Sequence, residues 1–275
     1  MSVSVIEVSR LTRDYGKGKG VFDLSFGIEK GEVFGFLGPN GAGKTTTIRH
    51  LMGFIRAKEG KCTINGMDCR KDADKIQRHV GYIPGEIAFF NEMTGEEYLR
   101  FIQKYRGDKA DRKKELTEMF ELNTSGKIKK MSKGMKQKIG IISAFMHDPE
   151  ILILDEPTSG LDPLMQNRFI ELIQQEKKRG KTVLMSSHIF EEVERTCDRV
   201  GIIKDGRLMA LDTAEDLRSK HMRLYTVTLE SPAAAKAFAA DFKGRLIKEG
   251  GCAVEVAAKQ SLEEIFLNYY GGERP

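Results

Sequence analysis

Gly38-Pro39-Asn40-Gly41-Ala42-Gly43-Lys44-Thr45 fits the phosphate-loop pattern G-x-x-x-x-G-K-[ST] without departure. An apolar, strand-like run, Val33-Phe34-Gly35-Phe36-Leu37, precedes it, and a helix-like run from Thr46 to Met52 follows. That strand–loop–helix context is what gives the motif its meaning. Glycines let backbone N–H groups curl around phosphate oxygens without side-chain clash. The N-terminus of the following helix adds further N–H donors and a favourable dipole. Lys44 can reach the outer phosphates, and the Thr45 hydroxyl is a ligand for Mg²⁺.

A second stretch completes such a site. Ile151-Leu152-Ile153-Leu154 is a four-residue aliphatic run that ends in Asp155-Glu156. It reads as a buried parallel strand, whose C-terminal end is where α/β sheets bind ligands. Two acids after a strand, taken alone, also fit a solvated turn. With the phosphate loop upstream, Asp155 is expected to hold Mg²⁺ directly or through water. Glu156 is expected to polarise an attacking water.

The 275 residues suffice for one large domain plus an appendage, and a formal net charge of +5 is modest for that length. That charge is compatible with anionic lipid headgroups but is weak evidence for nucleic acid, and no nucleic-acid partner is expected. No run reaches the ~18–20 apolar residues that cross a bilayer, and no basic-then-apolar leader opens the chain. The chain is therefore not expected to form a membrane channel itself. Cys62, Cys69, Cys197 and Cys252 are scattered without a C-x-x-C pair, so reduced thiols are expected and a zinc site is not.

Further pieces stand in fixed order: Met131-Ser132-Lys133-Gly134-Met135 before the second strand, Pro157-Thr158-Ser159-Gly160-Leu161-Asp162 after it, and a third strand, Thr182–Met185, ending at Ser186-Ser187-His188. With these motifs the chain, from about Ile6 to about Leu217, resembles the ATPase subunit of an ATP-binding cassette (ABC) transporter. The resemblance implies an α/β phosphate-loop NTPase fold: a mixed sheet with helices, an antiparallel β subdomain and a helical subdomain. A small α+β appendage follows at the C-terminus. It implies ATP and Mg²⁺ as ligands, with Gly38, Pro39, Asn40, Gly41, Ala42, Gly43, Lys44, Thr45 and Thr46 as the Walker A loop. Thr45 and Asp155 would serve the metal, Glu156 would be the catalytic glutamate, and His188 the switch histidine. Tyr15 matches the aromatic that stacks on adenine. Ser159 to Asp162 matches the D-loop at a dimer interface. Ser132 and Gly134 would contact ATP bound on a second ATPase chain, a homodimer being expected. An integral membrane permease would be the other partner, placing the protein in the cytoplasm on the inner face of the cell membrane.

Two departures qualify the resemblance. The family signature reads Leu-Ser-Gly-Gly-Gln, and here Lys133 and Met135 replace its first glycine and its glutamine. Ser132 is retained as an N-cap, and Gly134 still lets the backbone come close. This variant is similar to subfamilies serving drug, antibiotic and lantibiotic export (ABC-2 type). Lysines 127, 129, 130, 133, 136 and 138 crowd the region and read mostly as a solvated face, Lys133 being the exception to test. The second departure is Gly85 in Val80-Gly81-Tyr82-Ile83-Pro84-Gly85-Glu86, where the family usually carries a glutamine that ligates Mg²⁺. Either water fills that place or Glu86 partly substitutes.

Residues 1–218 are expected to form the ATPase domain, with a helical subdomain at about 86–148, and 219–275 a separate α+β domain. Ser2 to Gly31 alternates as antiparallel strands do. Phe89, Phe90 and Met93 suit either a groove for the permease or packing within the subdomain. The tail has a helical stripe, Leu262, Ile265, Phe266 and Tyr269, and reads as a dimer contact, a regulator or a cap. A ribosome-acting ABC ATPase is the alternative, though such proteins usually carry two cassettes. A DNA-repair ATPase would need a coiled coil that the span from Lys44 to Ser132 does not hold.

Overall fold

The computed structural model describes residues 4–106, 112–220, 222–247 and 251–259. In chain order the elements begin β1 (Ser4–Asp14), β2 (Gly20–Glu29), β3 (Val33–Leu37), α1 (Lys44–Leu51), β4 (Glu59–Ile64), β5 (Met67–Asp68), α2 (Ala73–His79) and β6 (Val80–Ile83). There follow α3 (Gly95–Arg106), α4 (Lys113–Met119), α5 (Lys133–Phe145), β7 (Ile151–Asp155), α6 (Pro163–Lys178), β8 (Thr182–Ser187), α7 (Phe190–Thr196), β9 (Arg199–Lys204) and β10 (Arg207–Thr213). The last elements are α8 (Ala214–Lys220), β11 (Met222–Thr228), α9 (Pro232–Asp241), β12 (Arg245–Ile247) and β13 (Ala253–Lys259). The chain divides into two compact units, Met1–Leu211 and Asp212–Pro275.

In the first unit, six strands lie in the order β10-β9-β3-β8-β7-β6. Strands β6, β7, β8, β3 and β9 run parallel. Their sequences are nearly continuous aliphatic runs because both faces are covered. All five residues of β3 and of β7 are buried, as are all six of β8. Each such aliphatic side chain stabilises the fold by roughly 1.5–3 kcal/mol relative to exposure. A second sheet, β2-β1-β4-β5, is antiparallel and alternates buried and exposed positions as the sequence predicts. The two sheets share one core, in which Phe26 of β2 stacks on Phe34 of β3 with centroids 5.3 Å apart.

The phosphate loop runs from the end of β3 into α1, which begins at Lys44 rather than at Thr46, so the motif's last residues already form the first helical turn. Helix α5 starts where Ser132 caps it, its Oγ accepting the Met135 N–H at 3.2 Å. The sequence reading did not mark α6. Asp162 caps it, accepting from the Met165 N–H at 3.0 Å, with Pro163 at the first helical position. Strand β5 and helices α2 and α8 were likewise unmarked, being too short to show a period.

The second unit pairs β11-β13-β12 antiparallel, with α9 capped by Ser231. Ala235 and Val254 are its fully buried side chains among the described residues. The helix expected over Ser261–Tyr270 lies outside the described residues.

Helix α5 lies directly on β6. A Cβ at Gly81 would stand 2.3 Å from the Ala144 carbonyl oxygen and 2.7 Å from both Leu152 Cδ2 and Pro149 Cγ. Gly81→Ala should therefore cost about 1–3 kcal/mol through overpacking, read as a lowered urea midpoint at unchanged slope. An unchanged midpoint would mean that the helix rides away from the strand without penalty.

Candidate active site

The C-terminal ends of β3, β7 and β8 converge, and each delivers a polar group the sequence singled out. In the loop after β3, Gly43 has φ +113°, and a Cβ there would meet Val21 Cγ1 at 2.9 Å, so only glycine is admitted without strain. The Lys44 side chain curls back over the loop. Its Nζ donates to the Gly38 carbonyl and, at 3.2 Å, to the Pro39 carbonyl. The same ammonium lies 3.0 Å from Glu156 Oε1. That contact is Coulombic rather than a hydrogen bond, since no donor is aligned on Oε1.

Asp155 and Glu156 are adjacent but held differently. Asp155 is fully buried, and its Oδ1 accepts the Ser186 hydroxyl at 2.6 Å. Ser186 Oγ in turn accepts the Glu156 N–H at 3.0 Å, so one hydroxyl joins β8 to both acids. Glu156 takes φ +50°, which turns its side chain out of the strand direction toward the loop. Its Oε2 lies 2.5 Å from His188 Nδ1, the imidazole being half-exposed at the end of β8. Lys44, Glu156 and His188 thus form one contiguous cluster.

Asp155 Oδ2 is buried without a hydrogen-bond partner. An unpaired carboxylate oxygen in that setting is costly unless a cation meets it. The point where a Cβ of residue 85 would stand is 2.9 Å from this oxygen and 3.8 Å from Thr45 Oγ1. Hard oxygen donors from Asp155 and Thr45 therefore face one small region, a set that fits Mg²⁺. Gly85 adjoins that region and brings no side chain to it. A cleft of about 120 Å³ is lined by Pro39, Asn40, Gly41, Gly43, Lys44, Thr45, Thr46 and Glu156. A larger one, of about 1060 Å³, lies at the opposite ends of β6 and β7 and contains none of these groups. The small cleft is the candidate site, because it brings together the phosphate loop, the Lys44 cation and the Glu156 carboxylate.

Other expected residues stand apart. Tyr15 is half-exposed in the β1–β2 turn, with the Arg13 guanidinium carbon 5.2 Å from its ring centroid. The β2 end of that turn abuts the loop, where the Gly20 carbonyl is 3.2 Å from the Cβ position of Gly43. Ser132 and Gly134 do not line the cleft. They lie at the start of α5, where a Cβ on Gly134 would be 2.8 Å from the Gly160 carbonyl. Phe89 and Phe90 pack edge-on against Tyr98 and Phe101, yet Phe90 stays 55% exposed, so it serves internal packing and surface together. Lys127 and Lys129 pair with Glu92 on the solvated face.

The sequence reading missed Glu192. From α7 its buried carboxylate accepts from the hydroxyls of Thr158 and, at 2.8 Å, Ser187. It thereby ties the loop after Glu156 to the strand end carrying His188. Its only sequence signal was an acid in the helix following His188, which reads equally well as surface.

Residues 21–159 match the family model described as ABC transporter. The chain is 40% identical over 222 residues to the linearmycin resistance ATP-binding protein LnrL of Bacillus subtilis, covering 78% of this chain and 71% of that one. It is 38% identical over 226 residues to the bacitracin transport ATP-binding protein BcrA of Bacillus licheniformis, covering 80% and 73%. A solved structure of an ATP-binding subunit of an ABC transporter superposes with a TM-score of 0.72 at 34% identity, over 79% of this chain and 93% of that one.

Burial raises the Glu192 carboxyl above its ordinary range, against the opposing pull of the Thr158 and Ser187 hydroxyls. A folded-state pKa above the unfolded one means that the folded chain holds the proton longer. Stability from this group therefore falls as pH rises from the unfolded carboxylate range through the folded value. Glu192→Gln lacks this dependence, so it should gain stability relative to wild type as pH rises above the unfolded carboxylate range, about pH 4. Urea unfolding through that rise checks it, and a pH-independent difference would contradict it.

Proposed function

The chain belongs to the ABC transporter family as an ATP-binding, ATP-hydrolysing subunit, and from that premise we propose that it powers export through a separate integral membrane permease. The observation that carries the chemistry is the convergence of Lys44, Glu156 and His188 beside the unpaired Asp155 oxygen. Export of a peptide- or drug-like molecule is supported by the similarity to resistance and antibiotic-transport proteins. These relatives do not support the ribosomal alternative.

In this reading Tyr15 stacks on adenine and the N–H groups of residues 38–46 hold the phosphates. Mg²⁺ would be held by Asp155 and Thr45 and would neutralise phosphate charge. A terminal phosphate competes with Glu156 for Lys44, which releases Oε1 to accept a proton from water. His188, already on Oε2, orients that carboxylate and stabilises charge on the transferred phosphoryl group. Ser186 fixes the backbone of Glu156, so the carboxylate has little freedom to lose. Cassettes of this family work as dimers with membrane permeases. Here two copies would close head to tail, Ser132 and Gly134 of each covering the other's nucleotide and excluding water. The working protein would sit in the cytoplasm at the inner face of the membrane. Residues 1–218 would be the ATPase domain and 219–275 a domain for dimer contact or regulation.

Glu156→Gln should bind ATP with Mg²⁺ and accumulate as a dimer, with turnover reduced at least ~100-fold in a phosphate-release assay. Wild-type turnover would remove Glu156 from the mechanism. Tagged Glu156→Gln chain, incubated with ATP and Mg²⁺ in detergent extract of its native cells, should recover a polytopic membrane protein. Recovery of ribosomes without one would overturn transport. Gly85→Gln must displace the Asp155 carboxylate to place its Cβ, so the Mg²⁺ concentration for half-maximal turnover should move, as it should in Glu86→Ala if that acid aids the metal. Identical Mg²⁺ titrations in all three proteins would exclude both residues from the metal site.

A further inference from the structure

Helix α5 holds the turn after Asp155 at three points. The buried Gln137 amide donates to the Pro157 carbonyl at 2.7 Å. Gly134 brings its backbone against the Gly160 carbonyl, where a Cβ would come within 2.8 Å. Lys133 reaches across and donates from Nζ to Ser159 Oγ at 3.1 Å. Its methylene stem lies flat on Gly160: a Cβ there would meet Lys133 Cδ, Cγ and Cε at 2.9, 3.0 and 3.1 Å. Gly160 has φ +82°, so both the backbone conformation and the stem exclude a side chain. Ser159 is linked to the acid in turn, its N–H donating to the Glu156 carbonyl at 3.1 Å.

We propose that Lys133 is a positioning residue for hydrolysis: its ammonium, held on Ser159, clamps residues 156–160 against α5 and keeps the Glu156 carboxylate on His188. The residue is one of the three, with Met131 and Met135, that break the family signature, which carries glycine at this point. With glycine there, the contacts of Gly134 and Gln137 would remain and the hydrogen bond to Ser159 would be lost. With lysine, a shift of the helix that bears the signature pulls on Ser159, and through it on the turn that aims Glu156. The contact is solvent-exposed at Lys133, so its effect is graded rather than all-or-none. The inference rests on the role proposed for Glu156.

The test uses the full-length chain in four variants: Lys133→Met, which keeps the stem and removes the charge, Lys133→Arg, Ser159→Ala, and the double variant Lys133→Met/Ser159→Ala. Amide hydrogen exchange over residues 156–162 should accelerate about threefold or more in Lys133→Met and Ser159→Ala, and stay at the wild-type rate in Lys133→Arg. kcat for ATP should fall about three- to fivefold in the first two with KM unchanged, be restored in Lys133→Arg, and fall no further in the double variant. Unchanged exchange in Lys133→Met, or losses that multiply in the double variant, would overturn the clamp. Glu156→Gln, run alongside, separates the two questions. If it hydrolyses ATP like wild type, the role of Glu156 fails while the exchange data still decide whether Lys133 holds the turn.

Discussion

One hydroxyl organises the catalytic end of the sheet. Ser186 Oγ donates to Asp155 and accepts from the Glu156 N–H, so it fixes the spacing of two strand ends and the direction of two acids at once. Were that bridge absent, Asp155 would be a buried carboxylate with both oxygens unpaired, and the Glu156 N–H would keep only its longer bond, 3.2 Å, to the Ser186 carbonyl. The bridge is available because β7 and β8 pair in parallel with Asp155 opposite Ser186. Register, set by aliphatic burial along four positions, thus decides electrostatics at the fifth.

From that end the rest of the site follows by short links. Glu156 meets both Lys44 from the loop after β3 and His188 from the end of β8. Glu192 joins the loops carrying the two acids and the histidine, at the cost of keeping a carboxylate out of water. A buried acid is tolerated where two hydroxyls satisfy it, and the result is a constellation whose members cannot drift independently. Helix α5 adds the same constraint from outside, through Gln137 and Lys133. Position 85 approaches the unpaired Asp155 oxygen so closely that a Cβ there would stand 2.9 Å from it.

Much of this was legible in the residues. The phosphate loop, the aliphatic strand ending in Asp155-Glu156 and the strand ending in His188 are local patterns, each complete within about ten residues. The antiparallel alternation of β1 and β2 and the capping of α5 by Ser132 are local too. What escaped were features with no local signature. Glu192 looks like any acid on a helix until α7 packs beneath the loop at Thr158. Ser159 and Lys133 lie 26 residues apart and meet only because α5 and the turn share a face. Helix α6 was hidden because its cap, Asp162-Pro163, coincides with a motif already given another role.

The sequence by itself determined the chemistry: which donors, acids and cations the chain carries, and that a strand–loop–helix unit would present them to a phosphate. It did so because phosphate binding relies on backbone N–H groups and glycine conformations that a contiguous octapeptide encodes in full. Tertiary structure alone decided distances and partnerships. Whether Lys44 reaches Glu156, whether Asp155 keeps a free oxygen, and whether Lys133 faces solvent or Ser159 depend on the parallel pairing of strands and on α5 seated against Gly81. Those contacts join residues far apart in the chain, and only close packing of the whole core fixes them to within a hydrogen bond's length.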